Sequence, residues 1–217
     1  MSALPNLGSL QYRALAATAA LVCLNAVPMT AAASPGGVPR SSDMILPLRQ
    51  VQSIVGEPTL DAHPDEDRTS PRFDHTMDVN LTPACRHYMN QDELFGSTWS
   101  NFAARSYSGE SNLGIEQSIA VYSDSNTARQ AFAAMKTAAR QCRIHYPSHV
   151  FGPGYTLTEP DSVTLLAQYP ETVNGPGSVS IYALRQQVLV EVGAPHFSTD
   201  PRIAQAVLAL IIEKIPA

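Results

Sequence analysis

The segment that most limits what this chain can become is its first one. Arg13 is the only charged side chain in residues 1–33. Behind it runs an apolar stretch, Ala14–Val27, broken by Pro28 and followed by Ala31-Ala32-Ala33. A positive residue, a short apolar run and a small-residue A-x-A site make a secretory signal, with cleavage expected after Ala33. Two other readings stand beside it. Residues 14–33 are just long enough for a retained membrane anchor, although Asn25 and Pro28 interrupt them. Cys23 lies near enough for lipidation, although Val22 occupies the position where a small residue is the rule. Cleavage removes Cys23 and leaves Cys85 and Cys142. Two cysteines in an exported protein read as one disulfide. Closing a loop of roughly sixty residues contributes about 4 kcal/mol on a chain-entropy account. A zinc site lacks its C-x-x-C, and a nucleophilic thiol would leave the second cysteine without a partner.

The remaining residues 34–217 suffice for one domain with a real core. Of the 217 residues, 44% are hydrophobic and 15% charged, which excludes a disordered chain. The net charge is −5, and removing Arg13 takes it to −6. With no basic stripe or cluster, neither nucleic acid nor an anionic membrane surface is expected as partner.

Residues 34–42 (SPGGVPRSS) read as a linker. A helix follows from Ser42 or Asp43, with Met44, Leu48, Val51 and Val55 on one face and Gly56 as its stop. Residues 57–82, rich in Asp and Pro, read as a long exposed loop. Cys85 follows Pro83 in a short segment of helical character. Thr98–Tyr107 and Ile115–Tyr122 predict an antiparallel pair. In the second, Glu116, Ser118, Ala120 and Tyr122 share one face, and Ile115, Gln117, Ile119 and Val121 the other. Asn126–Arg140 is the clearest helix, its apolar stripe running from Ala128 to Cys142. After a Pro/Gly loop at 147–160 come strands at Val163–Tyr169, Val179–Leu184 and Val188–Val192, then a helix from Asp200-Pro201 to Ile215. The order α-ββ-α-βββ-α describes an α+β domain: an antiparallel sheet with helices packed on it.

The chain carries no G-x-S-x-G elbow, no H-E-x-x-H and no phosphate-binding glycine loop. His63 and His75 with nearby acids could hold a divalent ion, but a solvated acidic loop explains them as well. No cofactor and no metal are expected. The informative residues are polar ones inside strands. Glu116 and Glu191 interrupt apolar patterns, and Arg105 and Tyr182 join them. If one sheet face lines a groove, these four supply its polar groups and Trp99 an apolar wall. The alternative is a sheet face that is simply wet. The face opposite the Ala128–Cys142 helix is where an open groove is to be sought.

The ordered segments resemble the mycobacterial PknH-type extracellular sensor domain, the outer part of a receptor Ser/Thr kinase that also occurs in stand-alone secreted proteins and lipoproteins. Asp43–Gly56 (DMILPLRQVQSIVG) is similar to the family's opening LLP…G helix. Thr82–Tyr107 matches its Pro-x-Cys segment and tryptophan-bearing strand. Ile115–Cys142 matches its strand and alanine-rich helix ending in cysteine, and Tyr182–Val192 (YALRQQVLVEV) its paired strands around a polar turn. The resemblance implies a curved antiparallel sheet with a cleft, an undefined ligand and a disulfide at the positions of Cys85 and Cys142. The family's second cysteine pair and its kinase domain are absent from this sequence.

These observations together predict a non-catalytic, sensor-like domain outside the cytoplasmic membrane, binding an unidentified small-molecule or envelope ligand, with an envelope protein as a further potential partner. Two alternatives remain open: an envelope hydrolase using Glu116 and Glu191 as a carboxylate pair, and a protein-interaction module marked by an exposed apolar patch.

Overall fold

A computed structural model describes residues 39–147, 153–172 and 175–216. The expected export signal, its Cys23 and most of the 34–42 linker lie outside the described residues. Ser41 and Ser42 are not linker, however. They open α1 (Ser41–Met44), where Ser41 is buried and its backbone N–H donates to Asn101 Oδ1 at 2.7 Å. The single opening helix that the spacing predicts is two. Pro47 cannot continue a helix, because it lacks an N–H and forces its predecessor extended. The chain therefore restarts as α2 (Leu48–Val55), and Gly56 ends it in the left-handed conformation, at φ 71°. Gln117, wholly buried, holds this junction by bonding both the N–H and the carbonyl of Leu46.

Seven strands form one antiparallel sheet in the order β1-β2-β3-β7-β6-β5-β4. They are β1 (Asp61–Ala62), β2 (Trp99–Ser108), β3 (Gly114–Tyr122), β4 (Thr156–Asp161), β5 (Thr164–Tyr169), β6 (Ser178–Arg185) and β7 (Val188–Ala194). Five match the predicted strands within a residue or two. β4 was expected to be loop because of Pro160. It survives at the sheet edge, where a missing N–H costs no ladder bond, and its register breaks between Thr158 and Asp161.

Helices cover both faces. α1, α2 and the C-terminal α6 (Arg202–Glu213) bury Ile119, Val190 and Ile181 on one side. On the other lie α3 (Pro83–Met89), α4 (Gln91–Phe95) and α5 (Ser125–Ile144), over Ala120, Leu189 and Leu184. Thr82 caps α3, and Asp124 caps α5 by accepting from the N–H groups of Asn126 and Thr127. Cys142 points inward from α5 and is disulfide-bonded to Cys85 of α3. Among the described residues no helix is long and apolar enough to cross a membrane.

Candidate functional site

The face that carries α5 is only half covered by helix. Over the other half β3, β7 and β6 change character together. Register sets Glu116 of β3 opposite Gly193 of β7, and Ser118 opposite Glu191. Glu191 in turn faces Tyr182 of β6, and Gly193 faces Ser180. Because all share one face, two carboxylates become diagonal neighbours, and Gly193, with no side chain, leaves space between Glu116 and Ser180. The result is a cavity of about 330 Å³, at the small end of the range of about 300–1,000 Å³ for small-molecule sites. The site therefore lies beside α5. The opposite face, where a groove was to be sought, is covered by α1, α2 and α6 and keeps only an apolar pocket between β6 and α6, lined by Ile181, Ala183 and Leu208.

The roof is the largest departure from expectation. Residues 63–82 are not a free loop. Their start follows the outer edge of β2: Arg68 exchanges two backbone hydrogen bonds with Ala104, at 3.0 and 2.8 Å. The segment then crosses the sheet face, and Arg68, Arg72, Asp74 and Met77 line the cavity from above. Two clamps hold it on α4. Gln91 Oε1 accepts from Arg68 Nη1 at 2.6 Å and from the Arg72 backbone N–H at 2.8 Å. His75 reaches Asp78 through Nδ1 at 2.9 Å and Asp92 through Nε2 at 3.0 Å. These bonds push the His75 ring up to about 9, Asp92 being the largest cause and Asp78 next.

His75, Asp78 and Glu93 offer ligand atoms within 4.8 Å of one another. Both ring nitrogens already face carboxylates, so a cation would have to displace a tightly held proton. The imagined pairing of His63 with His75 does not form: His63 bonds Ser108 at the sheet edge.

Inside the cavity, the Glu116 side chain stays exposed to solvent, although protein packs densely around its carboxyl. Among the described residues it makes no hydrogen bond and no ion pair. Enclosure raises its carboxyl above the usual range, opposed by the Arg72 charge. Glu191 is pushed up to about 7, first by burial and then by the charge of Glu116. Gln91 Nε2 donates to Ser118 Oγ at 2.9 Å and approaches Glu191 Oε2 at 3.4 Å. One carboxamide thus stands between Arg68 and Glu191. Burial raises the hydroxyls of Tyr88, Tyr169 and Tyr182, so all three are neutral donors. The Tyr88 hydroxyl is buried with no well-formed hydrogen bond, although those of Tyr169 and Tyr182 influence it.

Of the five residues picked from the strands, the fold brings Glu116, Tyr182 and Glu191 to this cavity. Trp99 is not its wall. It sits where β2 begins, donates Nε1–H to the Gly96 carbonyl at 2.8 Å and packs on Phe102. Arg105 projects on the other face from Ala104 and bonds Asp67 at 2.7 Å, so it fastens the roof segment from outside. Arg68, Arg72, Gln91, Tyr88 and Tyr169 had gone unnoticed. Only Tyr169 carried a signal: its parity matches Leu165 and Ala167 on β5.

A family profile described as the PknH-like extracellular domain matches residues 39–214. Among solved structures, the chain is similar to one titled as the crystal structure of the extracellular domain of PknH from Mycobacterium tuberculosis. The TM-score is 0.62 with 16% identity, over 83% of this chain and 97% of that one, a likeness of fold. No curated protein sequence matches the chain significantly.

Proposed function

This chain belongs to the PknH-like extracellular domain family, and from that premise we propose that it is a non-catalytic, sensor-like domain binding a small polar ligand under the 63–82 segment. One observation carries the reading. Glu116, Glu191, two guanidiniums and three tyrosine hydroxyls converge on one half-open cavity, and Glu116 has no partner of its own among the described residues. Polar groups in a partly dry cavity are costly when unpaired. A ligand that completes their hydrogen bonds is held by just those groups. Beyond the backbone bonds of Arg68 to the β2 edge, the roof is clipped to α4 by side chains, so its part after Arg68 can lift without disturbing the strands beneath.

A second reading has its own support. Glu191 pushed up to about 7 beside Glu116 is the pairing a general acid and base require, as an envelope hydrolase would use.

One experiment separates them. Thermal shift is measured for the secreted protein against envelope metabolites and glycan fragments, then repeated on Ser180→Phe, which fills the cavity, and on Glu116→Gln/Glu191→Gln. The binding reading expects compounds that raise the wild-type melting temperature, lose that effect in Ser180→Phe and come back chemically unchanged. Stabilisation equal in all three proteins puts the site elsewhere. Turnover by wild type, absent in the double variant, makes the chain a hydrolase.

A further inference from the structure

The cavity holds opposite charges that do not meet. Arg68 and Arg72 stand in the roof, and Glu116 and Glu191 in the floor. No ion pair joins the two sets among the described residues: Arg72 and Arg68 both pair with Glu66 instead, and Arg68 is also engaged by the Gln91 carboxamide. The same carboxamide turns its amino group toward Glu191 and Ser118. The separation is therefore built in. Charges of opposite sign held apart form a fixed dipole across the space between them, and a ligand with the reverse dipole satisfies both of its ends at once.

We propose, resting on the binding reading above, that the ligand is a small zwitterion, a free amino acid or short peptide, whose ammonium sits on Glu116 and Glu191 and whose carboxylate faces Arg68 and Arg72. The floor supports the first half. Two neighbouring carboxylates relieve their repulsion by holding a proton; the high affinity of Glu191 for one comes first from burial and then from the charge of Glu116, and an ammonium placed between the two relieves that repulsion as a proton does. The groups facing this pair are Gln91 from α4 and Asn90 just before it, Tyr88 from α3, Tyr169 and Tyr182 from the sheet, and Arg68, Arg72, Asp74 and, behind the arginines, Glu66 from the roof. Only the two arginines among them are cationic. Both stand across the space, so a cation on the floor has no rival there. The roof supports the second half. Arg68 Nε is buried with no hydrogen bond, 3.5 Å from Glu66, while the neutral Tyr88 hydroxyl leans on that of Tyr169. An unspent guanidinium donor at the cationic end calls for an anionic acceptor. A neutral polyol would satisfy the hydroxyls and leave both charged ends unmatched.

The test is isothermal calorimetry on the secreted protein with the free L- and D-amino acids and a set of dipeptides. The tightest binder is then compared with its N-acetyl and C-amide derivatives. Each derivative is expected to bind at least about tenfold more weakly, the worth of one lost charge-assisted contact. Glu116→Gln should weaken the parent compound and leave the residual binding of the N-acetyl form unchanged. Arg72→Gln, on a side chain already half open to solvent, should do the same for the parent and spare the C-amide. A panel with no binder, or a derivative that binds as well as its parent, overturns the zwitterion. If glycans then bind wild type and fail on Ser180→Phe, the cavity stands as a binding site with a different ligand. A zwitterion bound equally by Ser180→Phe overturns the site and the ligand together.

Discussion

One sheet face of this molecule has two halves that differ in what lies on them and, with it, in their own side chains. Along β3 the outward residues run Glu116, Ser118, Ala120, Tyr122, along β7 Gly193, Glu191, Leu189, and along β6 Ser180, Tyr182, Leu184. All three strands pass from polar to apolar at the same level, where cover changes from the 63–82 segment to α5. The reason is in the covers. A helix satisfies its own backbone, so it can press an apolar stripe of Ala128, Phe132, Met135 and Ala139 onto a dry sheet. An irregular segment brings N–H and carbonyl groups of its own, which need water or side chains. What lies beneath it stays wet and polar. The dry half fixes the architecture, and the wet half is where chemistry can be put.

The largest effect should come from the dry half. Replacing Cys85 and Cys142 together by Ala removes the staple between α3 and α5, and equilibrium unfolding should lose about 4 kcal/mol. Urea denaturation of both proteins measures it. An unchanged midpoint would mean that α5 is held by packing alone.

A smaller effect of opposite sign belongs to the wet half. Glu191 holds its proton up to about pH 7, against an ordinary 4.5. Its contribution to stability is whole below pH 4.5 and is lost as pH rises through 7. Glu191→Gln keeps the side chain's size and never ionises. The variant should match wild type at pH 4 and exceed it at pH 8, by on the order of 2 kcal/mol. Melting curves at the two pH values decide this. A variant less stable at both would show that the carboxylate supports the fold, as the helix-covered residues do.

The two halves were also unequally legible in the sequence. α5 announces itself by spacing, Asp124 and Cys142, and its strands by alternation. Glu116 and Glu191 stood out because each breaks an apolar strand, and strand parity alone puts them on one face with Tyr182. The roof had no such signal. It is fixed by backbone bonds between Arg68 and Ala104 that any residue could make, and by Gln91, an unremarkable polar residue opening a five-residue helix. Its acids and prolines suit solvent as well as a cover. Arg105 and Trp99 misled for a related reason. Both lie in a strand with polar neighbours, but Arg105 falls one residue out of phase with the cavity face, and Trp99 lies before the irregularity between Trp99 and Asn101 in β2.

The smallest effect concerns how the wet half closes. His75 joins the roof to α4 through Nε2 on Asp92, while its Nδ1 bonds Asp78 within the roof, and Asn90 braces Asp78 at 2.8 Å. The two carboxylates raise the ring from 6.5 to about 9, so the clamp is complete below pH 6.5 and is lost as pH rises through 9. The imidazole is partly exposed, and its loss should open the roof locally without unfolding the domain. Hydrogen exchange reads this directly. Amides of residues 69–82, corrected for the intrinsic rise of exchange with hydroxide, should lose protection between pH 6.5 and 9.5, whereas those of α5 should not. Glu191 also ionises in this interval, so the series is repeated in Glu191→Gln, where the loss should persist. His75→Gln should show the open roof already at pH 6.5 and respond no further to pH. If the roof and α5 keep a constant ratio of protection in wild type across the range, His75 is not its clasp, and the other bonds, those from Arg68 and Arg72 to Gln91 among them, hold the cover without it.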